Sequence, residues 1–418
     1  IDEAHYLRNE TSQTSKLGHL LRPVASNLVL LSATPIQLRN KDLFNLLKLI
    51  DEDSFPYEHS FEDTLYSNAP LKDLREKILA GVATTEDFEE ALREAKGRSI
   101  FGESLQLEHL IENSPTSDAL KDPRARSELA DQLDRINPLG KVITRTLKRE
   151  VNENRVIRMP RAVVAPMNPQ ERDFYQKVTE VVREYCADNQ LSTGFILTTP
   201  QRQMTSCMAA ACLGWQASFD SMFGDDLDEL LYELDGETEA ESEPPTEMGE
   251  LVKTLALVGR SVGSYESLRA SDSKYDRLIS ALKDYWNQYP DKKIILFAFY
   301  KGTLRYLHER LSEDGIGSLV LHGGMDKNQV IRQFREDGQF NILLSSEVAA
   351  EGVDLQFSSV LINYDLPWNP MRIEQRIGRI DRIGQEEDRI HIWNMVYENT
   401  IDQRLYDRLL NRLDIYRN

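Results

Sequence analysis

The sequence predicts an α/β protein built on a mostly parallel sheet, and three observations carry that expectation. Five short apolar runs, at 293–299, 318–323, 341–347, 360–365 and 390–396, alternate with helical segments over the last third of the chain. A further apolar run, Asn27 to Ser32, is closed by Ala33-Thr34-Pro35, as a buried parallel strand would be. Residues 1–5, IDEAH, read as a strand end that delivers two carboxylates to a sheet edge, where nucleotides bind in such folds.

Taken in order, residues 1–50 hold that strand end, the 27–32 run, and a helix over 41–50 in which Leu43, Leu46, Leu47 and Ile50 recur at helical spacing. Residues 51–140 are polar and helical, with breakers at Gly97, Pro115 and Pro123 and no strand alternation, so they are expected to be a helical insertion. Residues 141–185 read as a basic connector with short strands that runs into an amphipathic helix from about Glu171. A second helical insertion, 186–272, contains small-residue helix around Met204 to Trp215 and an acidic stretch at 220–250. Residues 273–418 form the regular α/β domain.

Composition places the chain among soluble globular proteins of two or three domains: 418 residues, 40% hydrophobic and 28% charged. No run approaches about 18 uninterrupted apolar residues, and no secretory leader is visible. Cys186, Cys207 and Cys212 are too few for a disulfide framework and lack His at zinc spacing, so they read as reduced core thiols of a cytoplasmic protein. The net charge of −19 argues at first sight against a nucleic-acid partner. Its distribution reverses the argument: 13 acidic residues and no Lys or Arg lie between Asp220 and Glu250, and the rest of the chain carries −6. Between Lys141 and Arg161, seven basic residues face two acidic ones. The acidic stretch is either a solvated spacer or a flap that competes with nucleic acid for a basic groove.

Four loops carry candidate chemistry. In IDEAH, Asp2 would hold Mg²⁺ and Glu3 would orient and deprotonate an attacking water, because the metal neutralises phosphate charge while a separate carboxylate serves the nucleophile. In LLSATP, 30–35, the hydroxyls of Ser32 and Thr34 suit hydrogen bonding between a nucleotide-sensing loop and a neighbouring site. In SSEVAAEGVDLQ, 345–356, Gly352 permits close backbone approach and Asp354 can accept a ribose hydroxyl, although an ordinary strand-to-helix turn reads the same way. In QRIGRIDRIGQ, 375–385, Arg376, Arg379 and Arg382 recur three apart, which on a helix puts them on one face. Gly378 and Gly384 would each cost such a helix roughly 1 kcal/mol. That cost favours a phosphate-facing role for the arginines over a solvated basic stripe.

Together DEAH, LLSATPIQ, VITRTLKREV, LHGGM, SSEVAAEGVDLQ and QRIGRIDRIGQ resemble the superfamily-two helicase-like ATPases of the Swi/Snf type, and GRIDRIGQ is similar to their bacterial RapA-like branch. The resemblance implies two RecA-like lobes, ATP and Mg²⁺ as cofactors, and movement on double-stranded DNA. It implies Asp2 as Mg²⁺ ligand and Glu3 as catalytic base, with His5, Ser32 and Thr34 coupling the site to the track. It gives Gly352 and Asp354 to the nucleotide, Gln375 to closure of the cleft, and Arg379 and Arg382 to the arginine fingers. Lys148, Arg149, Gly323 and Gly324 are candidate contacts to DNA phosphates.

The family also has a phosphate-cradling Gly-Lys-Ser/Thr loop ahead of its Asp-Glu motif, and none occurs in the 418 residues. The expectation is a piece of a longer protein that lacks the first half of the first lobe and does not turn over ATP usefully alone. The function expected is an ATP-dependent double-stranded DNA translocase. The alternative is a non-catalytic adaptor, derived from such a motor, that binds DNA or RNA polymerase; it has no need of Asp2, Glu3, Arg379 and Arg382 together.

Overall fold

The five apolar runs of the last third all form strands, and a sixth comes from the segment expected to be a connector. The computed structural model describes residues 1–32, 40–98, 100–144, 156–189, 193–220, 254–258, 264–322, 325–346, 350, 352–367, 370–382 and 384–412. Two units divide the chain, Ile1–Asn152 and Glu153–Asn418.

In the first unit, a 3₁₀ turn at Ala4–Leu7 is followed by α1 (Gln13–Leu21), α2 (Asn40–Ile50), α3 (Glu58–Ala80), α4 (Thr85–Lys96), α5 (Leu105–Glu112) and α6 (Pro123–Ile136). The helix ends are written locally. Ser12 caps α1 through the Ser15 N–H, Thr84 and Asp87 form a reciprocal capping box on α4, and Asp122 caps α6 with Pro123 at its first position. The helices α3 to α6 share their own core of Leu71, Leu74, Ile78, Phe88, Leu92, Leu107, Leu110, Leu133 and Ile136. Phe44 and Leu47 of α2 pack with Phe55, Phe61 and Leu139.

The run 27–32 differs from its expectation. It pairs with the IDEAH segment, since Leu31 N donates to Ile1 O and Ala4 N to Leu31 O, both at 2.8 Å. Only Leu28 and Leu30 pack inward, against Ala4, Leu7, Leu46 and Leu49. Val29 and Leu31 are 65% and 57% exposed. A continuous apolar run predicts cover on both faces; the described residues cover one.

The second unit is a single parallel sheet in the order β1-β6-β5-β2-β4-β3, from β1 (Ile157–Ala165), β2 (Ile294–Phe297), β3 (Ser318–Leu321), β4 (Ile342–Ser345), β5 (Val360–Asn363) and β6 (Arg389–Tyr397). Alternate residues along each strand feed opposite cores, as a period of two requires. Ile294, Leu296, Ile342, Leu344, Val360, Ile362 and Trp393 meet α7 (Pro169–Asp188), α8 (Thr193–Ser206), α9 (Met208–Asp220), α10 (Tyr265–Ala270), α11 (Ser273–Gln288) and α12 (Lys301–Glu313). On the other face, Ile295, Phe297, Leu343, Leu361, Ile390 and Ile392 meet α13 (Lys327–Glu336), α14 (Pro370–Ile377) and α15 (Ile401–Arg412). This is the doubly covered parallel sheet in which ligand loops gather beyond the strand carboxyl ends. The three cysteines are free and buried in the first of these cores, where desolvation raises their thiol pKa values, that of Cys212 to about 11.

Candidate active site

In the first unit the IDEAH turn passes through one strained residue. Glu3 has φ 49° and ψ 44°, the left-handed region that side-chain-bearing residues rarely occupy, and it stands just ahead of the 3₁₀ turn. Its N–H donates to Asp2 Oδ1 at 2.9 Å, leaving Asp2 exposed. His5 is buried, with Nδ1 at 3.2 Å from Glu3 Oε2 and 3.5 Å from the Ser32 hydroxyl. The structure thus brings Glu3, His5 and Ser32 together. Thr34 lies outside the described residues.

In the second unit, two loops meet beyond the strand ends. The loop after β4 places Val353 and Leu355 inward and leaves Gly352 and Asp354 exposed. Gly352 has φ +76° and open space where a Cβ would stand, so it is conformation that calls for glycine there. The QRIGRIDRIGQ segment is not one helix. The helix α14 stops at Ile377, and Gly378, Arg379 and Ile380 form a turn whose N–H groups return to Glu374, Arg376 and Ile377. Gly384, at φ +97°, redirects the chain against Gln356. Gly378 is the first residue past the helix and Gly384 lies seven residues beyond its end, so Arg376, Arg379 and Arg382 do not share one helical face. Leu355 N donates to Arg379 O at 3.1 Å, and Arg382 Nη1 donates to Asp354 Oδ1. Arg382 Nε also donates to Gly378 O at 3.0 Å. Gln375 is half-buried on α14.

The three arginines part company. Arg376 is 1% exposed, donates to Asn363 Oδ1 and Asp365 O at 3.0 Å, and lies over the Phe297 ring; it is a packing residue. Arg379 and Arg382 remain half-buried in the turn.

Sequence reasoning missed the ion pairs that brace this turn. Arg158 of β1 donates to Asp381 Oδ2 from Nε at 2.8 Å and from Nη2 at 2.5 Å, and to Glu374 Oε1 from Nη1 at 2.8 Å. No local signal pointed to them: Glu374 and Asp381 each have arginines within two residues, at 372, 376, 379 and 382, whereas Arg158 lies more than 200 residues away. Lys148, Arg149, Gly323 and Gly324, and the acidic stretch over 221–250, lie outside the described residues.

Among the described residues no group of three or more His, Cys, Asp and Glu is placed to hold a metal. Asp2 nevertheless suits Mg²⁺, which takes one or two carboxylate oxygens and completes its shell with phosphates and water. Its carboxylate is an exposed hard donor, ordered by the Glu3 N–H. No helix among the described residues is long and apolar enough to cross a membrane.

Residues 1–210 match the model of the SNF2-related domain, and residues 273–384 match that of the helicase conserved C-terminal domain. Over 419 aligned residues the chain is 26% identical to the uncharacterized ATP-dependent helicase YqhH of Bacillus subtilis (strain 168); the match spans all of this chain and 58% of that protein. A solved structure, the C-terminal part of the Fun30 ATPase domain, aligns at 17% identity with a TM-score of 0.41, covering 63% of this chain and 94% of that one. The SNF2-related match takes in half of the chain and includes the carboxylates of residues 2 and 3, while the helicase C-terminal match takes in the loops of Asp354 and Arg382: the chain belongs to the SNF2-related family of helicase-like ATPases.

Proposed function

We propose that the chain is part of an ATP-driven motor that moves along double-stranded DNA, with Asp2 as its Mg²⁺ ligand, Glu3 as its catalytic base and Arg379 and Arg382 as its arginine fingers. The observation that carries the reading is the joining of the Gly352–Asp354 loop to the Arg379–Arg382 turn by a backbone hydrogen bond and an ion pair. A nucleotide-contacting loop bonded through its backbone to the turn of two arginines can respond together with it to a γ-phosphate, the exposed ion pair giving way as the phosphate arrives.

In this reading Glu3 Oε accepts the proton of the attacking water, and His5, between Glu3 and Ser32, links that carboxylate to the segment ending in Thr34. Asp2 is the residue that would hold Mg²⁺, and the ion would supply charge neutralisation on the phosphates. The Arg379 and Arg382 guanidinium groups stabilise charge that builds on the transferred phosphoryl group, and Gln375 helps close the site. Lys148, Arg149, Gly323 and Gly324 track DNA phosphates without reading bases.

The test is steady-state ATPase of the full-length gene product with and without duplex DNA, beside its Glu3→Gln variant. Duplex-stimulated turnover that Glu3→Gln abolishes supports the motor. A product that binds duplex DNA with no turnover would favour the adaptor instead.

A further inference from the structure

We infer that Arg158 is a positioning residue for the arginine turn, acting through Asp381 and Glu374; the inference rests on the assignment of Arg379 and Arg382 to the ATP phosphates. Arg158 comes from the edge strand β1, paired opposite Ile390 of β6, and is more than 200 residues away from the turn in sequence. On β1, Val163 and Ala165 feed the core on the α7 face, so the residues of opposite parity, Arg158 among them, turn to the face that carries α14.

The guanidinium spans the end of a helix. Glu374 lies in the last turn of α14 and Asp381 lies past Gly378, where the helix has ended. Three hydrogen bonds from one planar group to both carboxylates fix the angle at which the turn leaves the helix, which a flexible ammonium could not do. The side chains are 13%, 20% and 19% exposed for Arg158, Glu374 and Asp381, so water screens them little. Burial opposes the Arg158 charge, and the two carboxylates outweigh it, leaving its pKa above the ordinary value.

The neighbours make this a functional matter. Glu374 precedes Gln375, and Asp381 precedes Arg382. The buried Ile380 anchors the middle of the turn, while the far side is held by the more exposed Arg382–Asp354 pair. Arg158 supplies the third fixed point. A displacement near 1 Å of a transition-state group costs up to about 10²-fold in rate.

The experiment compares Arg158→Gln, the neutral triple variant Arg158→Gln/Glu374→Gln/Asp381→Asn, and Arg382→Ala in the full-length gene product. Readouts are kcat and KM for ATP, melting temperature, and amide exchange over 374–385. Arg158→Gln is expected to lower kcat roughly 10- to 100-fold with KM for ATP within about twofold, and to speed exchange at 378–382 but not in β2, β4 or β5. The triple variant, freed of unpaired carboxylates, is expected to regain melting temperature without regaining kcat. Recovery of kcat along with stability, or exchange at 378–382 unchanged in Arg158→Gln, would overturn the inference. If Arg382→Ala keeps wild-type kcat, the finger assignment fails instead, and the exchange data alone decide whether Arg158 holds the turn.

Discussion

Arg382 donates from Nη1 to the carboxylate of Asp354, so the residue expected to stabilise phosphate charge already neutralises a residue expected to meet the nucleotide. The pair is 36% and 65% exposed at its two side chains. Exposed pairs contribute about 0–1 kcal/mol, so a polyphosphate can exchange partners with Arg382 at small cost. Arg382→Ala in the full-length gene product should therefore leave the melting temperature nearly unchanged and lower kcat on the order of 10³-fold, with ATP binding little altered. Arg379→Ala should act similarly. Steady-state kinetics beside a thermal melt check both, and near-normal kcat returns that arginine to the solvated surface.

Arg376 predicts the reverse pattern. It is buried against Phe297 with bonds to Asn363 and Asp365, so Arg376→Met strips a charged donor from buried acceptors. The expected cost is about 3 kcal/mol of stability in urea denaturation. A stable Arg376→Met protein would contradict its assignment as a packing residue.

The contrast between these arginines shows where the sequence was legible. Strands β2, β4 and β5 are covered on both faces, and such strands read as continuous apolar runs. The same signature misled at 27–32, where only Leu28 and Leu30 find cover. Spacing of three suggested a helical arginine face, yet Gly378 ends the helix between Arg376 and Arg379, a difference that glycine composition hinted at and spacing alone did not. The Arg158 clamp was not legible, because its partners lie 216 and 223 residues away and long-range ion pairs leave no local pattern. The seven basic residues of 141–161 suggested phosphate contacts, whereas Arg158 spends its charge internally.

Glu3 is expected to be essential for turnover and dispensable for folding. It is partly exposed and its left-handed backbone is set by the turn, so Glu3→Gln keeps the shape and removes the proposed base. The expected loss in kcat is roughly 10²- to 10⁴-fold, with ATP binding retained, as read by steady-state kinetics and fluorescent-nucleotide titration. Wild-type turnover in Glu3→Gln would assign the base elsewhere.

A buried cluster below the sheet sets a pH dependence. Lys274 is fully buried, donates to Thr205 O at 2.5 Å and lies over the Tyr364 and Tyr397 rings. Burial lowers its pKa, opposed by Asp402, Asp365 and Asp272. Burial raises Asp402 to about 6 from 3.8, opposed by Lys274, Thr205 and Arg202. With the folded pKa above the unfolded one, the Asp402 contribution is fully present below about pH 4 and is lost as pH rises through about 6. The stability of wild type relative to Asp402→Asn should fall by on the order of 2–3 kcal/mol across that window and stay level above it. Urea denaturation of both proteins from pH 4 to 8 measures it; a difference that does not change with pH would mean Asp402 stays ionised when folded.

The last prediction separates basic residues that meet DNA from those that brace the fold. If Lys148 and Arg149 neutralise phosphates, duplex affinity should fall steeply with salt and vary little with sequence, and replacing both by Ala should reduce the salt slope by up to about two units. Arg158→Gln removes a charge of the same sign from the same basic segment, but that charge is already paired with Glu374 and Asp381, so the slope should stay as in wild type. Deleting the acidic stretch 221–250 should tighten binding if it is a competing flap and leave it unchanged if it is a spacer. Fluorescence anisotropy on two unrelated duplexes across a salt series measures all of these. An Arg158→Gln slope reduced as much as that of the double variant would mean that charge count alone governs binding, and a strong preference between the duplexes would refute phosphate tracking by this segment.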